Sequence, residues 1–147
     1  FIDFTRLRSL SFDDVFPEGG RHTQMPDPFD EGIRNAMIST AQDLKIKHHK
    51  RGTVITIEGN RFSTRAESHM FRAWGADVIN MSIAPECILA NEAGIPYAAV
   101  AMSTDYDCWK EDEAPVSWDD ILEVFKANVD KVTQLLVNTI PKLTAGE

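Results

Sequence analysis

The sequence predicts an α/β fold: a parallel or mixed sheet flanked by helices. Three observations carry that expectation. Apolar and β-branched runs of strand length recur as "TVITIE", "ADVINM" and "IPYAAVAMS". Stretches with apolar residues at helical spacing separate them, each with start and stop signals of its own. Strand and helix alternate, which implies parallel strands joined by right-handed crossovers. A length of 147 residues suits one domain with a real core.

Residues 1–29 read as irregular, because "FPEGG" and "MPDPF" are turn and loop signals. A start this loose is unlike the beginning of a compact fold. From Asp30 to residue 147 the pattern is regular. "DEGIRNAMISTAQDLKI" puts Ile33, Met37, Ala41 and Leu44 at helical spacing, with acids at its amino end. "KHHKRG" is a short basic turn, and the strand "TVITIE" follows on β-branched content. "STRAESHMFRAWG" is the next helix: Thr64 and Glu67 have capping-box spacing, and Gly75 supplies a left-handed residue beyond its end. After the strand "ADVINM" comes the helix "APECILANEAG", with Pro85 near its first turn and Gly94 just past its end. "IPYAAVAMS" is apolar enough for a strand buried on both faces. "TDYDCWKEDEAPV" is an acidic loop. The last helix, "SWDDILEVFKANVDKVTQLLVNTI", has Ser117 and Asp120 at its cap and Pro141 as its stop. Its apolar face is Ile121, Leu122, Phe125, Val129, Val132 and Leu136.

A formal net charge of −8 argues against a duplex nucleic-acid binder, which carries a basic face. It leaves small anionic substrates open, since a local pocket can oppose the global charge. Two cysteines, Cys87 and Cys108, make no disulfide framework and read as reduced thiols. No apolar run reaches membrane-spanning length. Asp3, Arg6 and Arg8 interrupt any signal-peptide core in "FIDFTRLRSLSF".

In a parallel sheet, ligands bind beyond the carboxyl ends of the strands. Three polar loops leave those ends: "EGNRFS", "NMSIAP" and "TDYDCW". They hold an aromatic (Phe62), hydroxyls (Ser63, Ser82, Thr104), an amide (Asn80) and two acids (Asp105, Asp107). That set suits a flat, hydrogen-bonding ligand carrying a sugar or similar polyol. G-x-G-x-x-G, Walker A and G-x-S-x-G signatures are absent, and His48-His49 is an isolated pair with no zinc-ligand spacing around it. On the residues alone, plainer readings stay open: Phe62 and Met81 as core, Asp105 and Asp107 as loop-capping or solvated acids.

"TIEGNRFSTRAESHMFRAWGADVINMS" and "PECILANEAGIPYAAVAMSTDYDCWKE" closely resemble the purine nucleoside phosphorylase family, in its branch that acts on 5′-methylthioadenosine. The likeness is dense from Gly52 to Glu111 and looser from His22 onward. It implies a phosphorylase/hydrolase-like fold, of which this chain is the carboxyl-terminal part of a single domain. The family's amino-terminal half holds most of the phosphate, and its Ser/Thr loop, Arg-His pair and further threonine have no counterpart here. The chain then reads as a truncated product or as one segment of a longer polypeptide.

The resemblance implies the following roles. Phe62 packs on the nucleoside, and Ser63 sits where substrate choice is tuned. Met81 meets the ribose hydroxyls through its backbone N–H and side chain, beside Ile79 and Asn80. Ser82 bonds phosphate. Thr104, Asp105, Tyr106 and Asp107 form the purine end, with Asp105 as the catalytic acid. His22 reaches a neighbouring subunit's site. Trp118, Ile121 and Leu122 cover the 5′ substituent. Phosphorolysis cleaves ribose C1′ from purine N9, and a carboxyl near N7 assists departure of the base. Asp107 lies two residues from Asp105, and a like charge nearby favours a protonated form. An acid at position 105, where 6-oxopurine enzymes carry Asn, implies adenine over hypoxanthine or guanine.

The family also implies no metal and no organic cofactor, phosphate as a substrate, a homotrimer, no nucleic-acid or membrane partner, and a place in the cytoplasm with the nucleus as a second compartment. The products would be adenine and 5-methylthioribose 1-phosphate, in purine and methionine salvage. The alternatives are a related phosphorylase of other base preference and a non-catalytic nucleoside-binding fragment. Two departures stand out. Asn60 replaces a frequent Pro, read as a neutral loop change. Trp118 replaces smaller aliphatic residues and leaves the 5′ substituent open.

Overall fold

Ile2–Phe4 form β1, Val54–Ile57 form β2 and Val78–Asn80 form β3. In the computed structural model, which describes residues 1–12, 14–17, 19, 21–112 and 118–144, these strands make one parallel sheet in the order β1-β2-β3. Ile2 to Phe4 register with Ile55 to Ile57, and Val54 to Thr56 with Val78 to Asn80. The helices are α1 (Glu31–Asp43), α2 (Arg65–Ala73), α3 (Ile83–Glu92) and α4 (Trp118–Thr144). Among the described residues, no helix is long and apolar enough to cross a membrane.

β2 is central, and all four of its residues are buried. Its period-two alternation divides the work between two faces. Ile55 and Ile57 pack with Phe71 of α2, and Ile2, Phe4, Ile79 and Met81 close around them. Phe4 meets Phe71 edge-on at 5.3 Å. Thr56 faces the other way, where its hydroxyl donates to Asn80 Oδ1 (2.8 Å) and accepts from Ala84 N in the first turn of α3 (3.0 Å).

The helix signals act as their chemistry requires. Asp30 Oδ1 accepts from Ile33 N (2.7 Å) at the start of α1. Thr64 and Glu67 form a reciprocal capping box on α2. Gly75 and Gly94 take left-handed φ values of 81° and 72° after α2 and α3. Ser117, expected to cap α4, lies outside the described residues, as do the side chain of Asp120 and positions 113–116 of the acidic loop.

Four expectations need correction. The irregular start contains β1, because three residues suffice when an apolar pair, Ile2 and Phe4, lies beside the buried β2. Residues 95–103 are not a strand. Their composition suits one, but they run beside no described ladder, and Ile95 and Val100 are exposed. Tyr97 O does accept from Asp30 N (2.8 Å). Pro141 does not stop α4, which runs one further turn. Its missing N–H forfeits one bond near the helix end, and Lys142 ties that end to Asp43 at 2.9 Å. The buried seam of α4 also differs from the expected face. Leu135 and Thr139 are buried while Phe125 and Leu136 are exposed. Among the described residues α4 packs chiefly on α1, so only a narrow stripe is covered, and Thr139 can join it because its hydroxyl donates to Leu135 O (2.7 Å).

Candidate functional site

The loop after β2 turns sharply at the strand's carboxyl end. Gly59 has φ +96°, and a Cβ there would lie 3.2 Å from Met81 Sδ. Glycine therefore lets this loop rest against the end of β3. Asn60 follows with φ +62°. Proline's ring holds φ near −65°, so Asn60 is not a neutral replacement: this path is closed to proline.

Arg61 then forks onto the Glu67 carboxylate, with both nitrogens 2.7 Å from its oxygens. That hydrogen bond, with the backbone N–H of Thr64, holds the Glu67 carboxyl down at about 2. The loop is thus pinned to the amino end of α2 on either side of Phe62 and Ser63. Phe62 is left 55 % exposed, available to pack on a ligand rather than spent in the core.

The third loop joins the first. Cys108 Sγ donates to Ser63 O (3.3 Å). Burial, and then the neighbouring Asp107 charge, push the Cys108 thiol up, so it stays a donor. Asp105 organises its own loop: Oδ2 accepts from Thr104 Oγ1 (2.7 Å) and Oδ1 from Asp107 N (2.8 Å). Asp107 takes φ +56° and buries Oδ2 with no described partner, as Ser63 buries Oγ.

Helix α2 braces this loop from outside. Arg72 stacks over Trp109 at 3.6 Å, and Arg65 pairs with Glu111 at 3.3 Å with His69 beside it. Trp109 in turn meets Tyr106 edge-on at 6.0 Å.

The second loop is short. Ile79 and Met81 both pack against the core cluster, in keeping with the plainer reading of Met81 as core. Asn80 is engaged through Thr56. Ser82 occupies the N-cap position of α3, yet its side chain makes no capping bond. An exposed hydroxyl therefore stands free beside a helix amino end, where N–H groups favour an anion.

The structure thus joins the loop of Phe62 and Ser63 to the loop of Thr104, Asp105, Tyr106 and Asp107 through Cys108, and sets Met81, next to Ser82 in sequence, against Gly59 of the first loop. It does not bring in the remaining expected residues. Trp118 is 64 % exposed, and no described hydrogen bond, ion pair or ring contact joins Trp118, Ile121 or Leu122 to the loops. His22 is exposed in the segment between β1 and α1. Residues that sequence reading missed include Thr56, hidden in a β-branched run, and Trp109 and Arg72, which read as ordinary loop and helix surface. A separate cleft of about 290 Å³ is lined by Asp27, Asp30, Asn91 and Tyr97 among others. Asp30 there caps α1 and Asn91 donates to Pro28 O and Cys87 O, so these two polar groups are already engaged.

Comparison with known proteins agrees with this fold. The phosphorylase superfamily model matches residues 1–141. The chain is 52 % identical over 148 residues to S-methyl-5′-thioadenosine phosphorylase of Xenopus tropicalis, covering 99 % of the chain and 53 % of the relative. Identity to the Danio rerio protein of the same name is 50 % over 146 residues, covering 97 % and 52 %. A solved variant of adenosine/methylthioadenosine phosphorylase from Schistosoma mansoni, in complex with adenine, superposes with a TM-score of 0.91 at 36 % identity, covering all of this chain and 59 % of that one. Another variant, in complex with methylthioadenosine, gives 0.89 at 35 %, covering all of this chain and 57 % of that one. The chain spans about half the length of the curated relatives it matches.

Proposed function

We propose that this chain, which belongs to the phosphorylase superfamily, supplies the nucleoside side of a phosphorolytic site for 5′-methylthioadenosine. The reaction is a pentosyl transfer. Phosphate oxygen bonds to ribose C1′, the C1′–N9 bond breaks, and its electron pair leaves with adenine. The products are adenine and 5-methylthioribose 1-phosphate. What supports this reading is the junction of the first and third loops, where Cys108 Sγ donates to Ser63 O: the exposed Phe62 adjoins Ser63 in the first loop, and Asp105 and Asp107 share the third loop with Cys108.

Phe62 offers a ring face for the purine. The carboxyls of Asp105 and Asp107 suit the N6 amino donor and a proton at N7. As charge moves onto the base, a proton or hydrogen bond at N7 stabilises it and the C1′–N9 bond lengthens. Met81 lies where the ribose hydroxyls would follow, and Ser82 at the head of α3 offers one hydroxyl to the attacking phosphate. Binding the two reactants in line supplies much of the acceleration. Asp105 as an acid rather than an amide favours 6-aminopurines.

On this reading the working enzyme is a homotrimer in cytoplasmic purine and methionine salvage. His22 and the amino end of α4 then contribute at subunit boundaries, in keeping with their exposure here. The test is adenine release from 5′-methylthioadenosine by the intact protein, with and without phosphate. Phosphate-dependent release is expected. Release independent of phosphate, or preference for a 6-oxo nucleoside, contradicts the reading.

A further inference from the structure

Arg8 lies just past β1, in a segment whose sequence shows only loop signals, yet its guanidinium crosses the carboxyl ends of two other strands. Nη2 donates to Glu58 O, Nη1 donates to Met81 O, and Nε donates to Glu58 Oε1 at 3.2 Å. The partners are 50 and 73 residues away in sequence. The seat of this side chain is itself built. The Glu58 carboxylate accepts from the backbone N–H groups of Arg6 and Leu7, which draws its pKa down, with the Arg6 N–H as the largest cause. Glu58 thus folds the turn after β1, and that turn delivers Arg8.

The two carbonyls are those that the sheet leaves over. The described pairings stop at Ile57 on one side of β2 and at Asn80 on β3. Glu58 O and Met81 O come next, and backbone acceptors at such positions need partners. Arg8 serves as one more rung across β2 and β3. A planar fork with donors at fixed angles can do this, whereas a lysine ammonium is a single point donor.

We propose that Arg8 is a positioning residue that locks the Met81–Ser82 peptide, and so sets the ribose and phosphate end of the site independently of its purine end. A peptide is planar, so holding Met81 O fixes the plane that carries Ser82 N–H, the entry to α3. Gly59 closes the same arrangement from above: a Cβ there would stand 3.2 Å from Met81 Sδ and 3.6 Å from Arg8 Nη2. The purine end is braced separately by Arg72 on Trp109 and Cys108 on Ser63. The two halves of the site rest on different struts. The inference rests on the proposed function for the identity of the ligand.

The experiment compares wild-type intact protein with Arg8→Lys and Arg8→Gln. Calorimetric affinities are measured for adenine and for 5′-methylthioadenosine, and steady-state rates are recorded alongside. Both variants are expected to weaken methylthioadenosine binding about tenfold or more while adenine affinity stays within about twofold. Glu58→Gln keeps both carbonyl contacts of Arg8 and loosens only its seat. It is expected to show a smaller change in the same direction, and it covers the case in which an Arg8 variant does not fold. Equal weakening of adenine and nucleoside, or no change in either, overturns the positioning role. A wild-type protein that binds both ligands and releases no adenine overturns the proposed function alone. One that binds neither overturns both.

Discussion

Asp105→Asn separates the chemistry of the purine loop from its architecture. Asp105 accepts from Asp107 N at 2.8 Å and from Thr104 Oγ1 at 2.7 Å. An asparagine can keep its carbonyl on Asp107 N and turn its amide toward Thr104 Oγ1, which can accept. Both local contacts survive, with donor and acceptor exchanged in one. The stability cost is therefore about 1 kcal/mol or less, a shift in Tm of a few degrees. The ligand loses more. A charge-assisted hydrogen bond from the N6 amino group is worth roughly 1.5–3 kcal/mol, or about 10- to 150-fold in affinity. Assistance to the leaving base contributes about 10²–10⁴ in rate. In the intact protein, kcat/KM for 5′-methylthioadenosine should fall on the order of 10² or more, while relative activity on the 6-oxo analogue rises. Initial rates of base release, measured chromatographically on both substrates beside a thermal melt, give all three quantities. Unchanged kinetics on both substrates would refute the role, and a large loss of Tm would show that Asp105 serves the fold.

Arg72→Ala removes the cation over Trp109, worth about 0.5–1 kcal/mol, so adenine affinity should drop about threefold with a change in Trp emission; unchanged emission would mean that α2 does not brace this loop. Asn60→Gly should preserve stability and Asn60→Pro should reduce it, since φ +62° is open to glycine and closed to proline; equal melting temperatures would contradict the loop path. Thr64→Ala should cost about 1 kcal/mol through the capping box, read from chemical denaturation. The Glu67 carboxyl is lowered from 4.5 to about 2. A depressed acid stabilises above its unfolded pKa and loses that contribution as pH falls through its folded one. The gap between wild type and Glu67→Gln should thus be full at neutral pH and close between about 4.5 and 2; a gap unaffected by acid would sink the Arg61 pairing.

The helices were legible because their ends carry chemistry that acts over three or four residues. Thr64 with Glu67, Asp30 before α1, and Gly75 and Gly94 after their helices can each be read locally. β2 was legible because a β-branched run of that length has few other uses. What failed depended on distant partners. β1 is a strand only because β2 lies beside it, and residues 95–103 are not one because no described strand does. The seam of α4 was set by its packing on α1 among the described residues, and periodicity alone cannot name that partner. The same division holds at the site. A polar loop at the carboxyl end of β2 pointed to Phe62 and Ser63, whereas Asp105 and Asp107 were read from a loop after an expected strand, 95–103, that does not form. Arg8, Glu58 and Thr56 act across 24 to 73 residues of sequence, and no local spacing points to them.

The central claim is that sugar is transferred to phosphate rather than to water. Phosphorus NMR of intact protein with 5′-methylthioadenosine and inorganic phosphate tests it most directly. A new sugar 1-phosphate resonance should grow in step with free adenine, mole for mole. Adenine appearing without that resonance, or no adenine at all from a folded, ligand-binding protein, would contradict it.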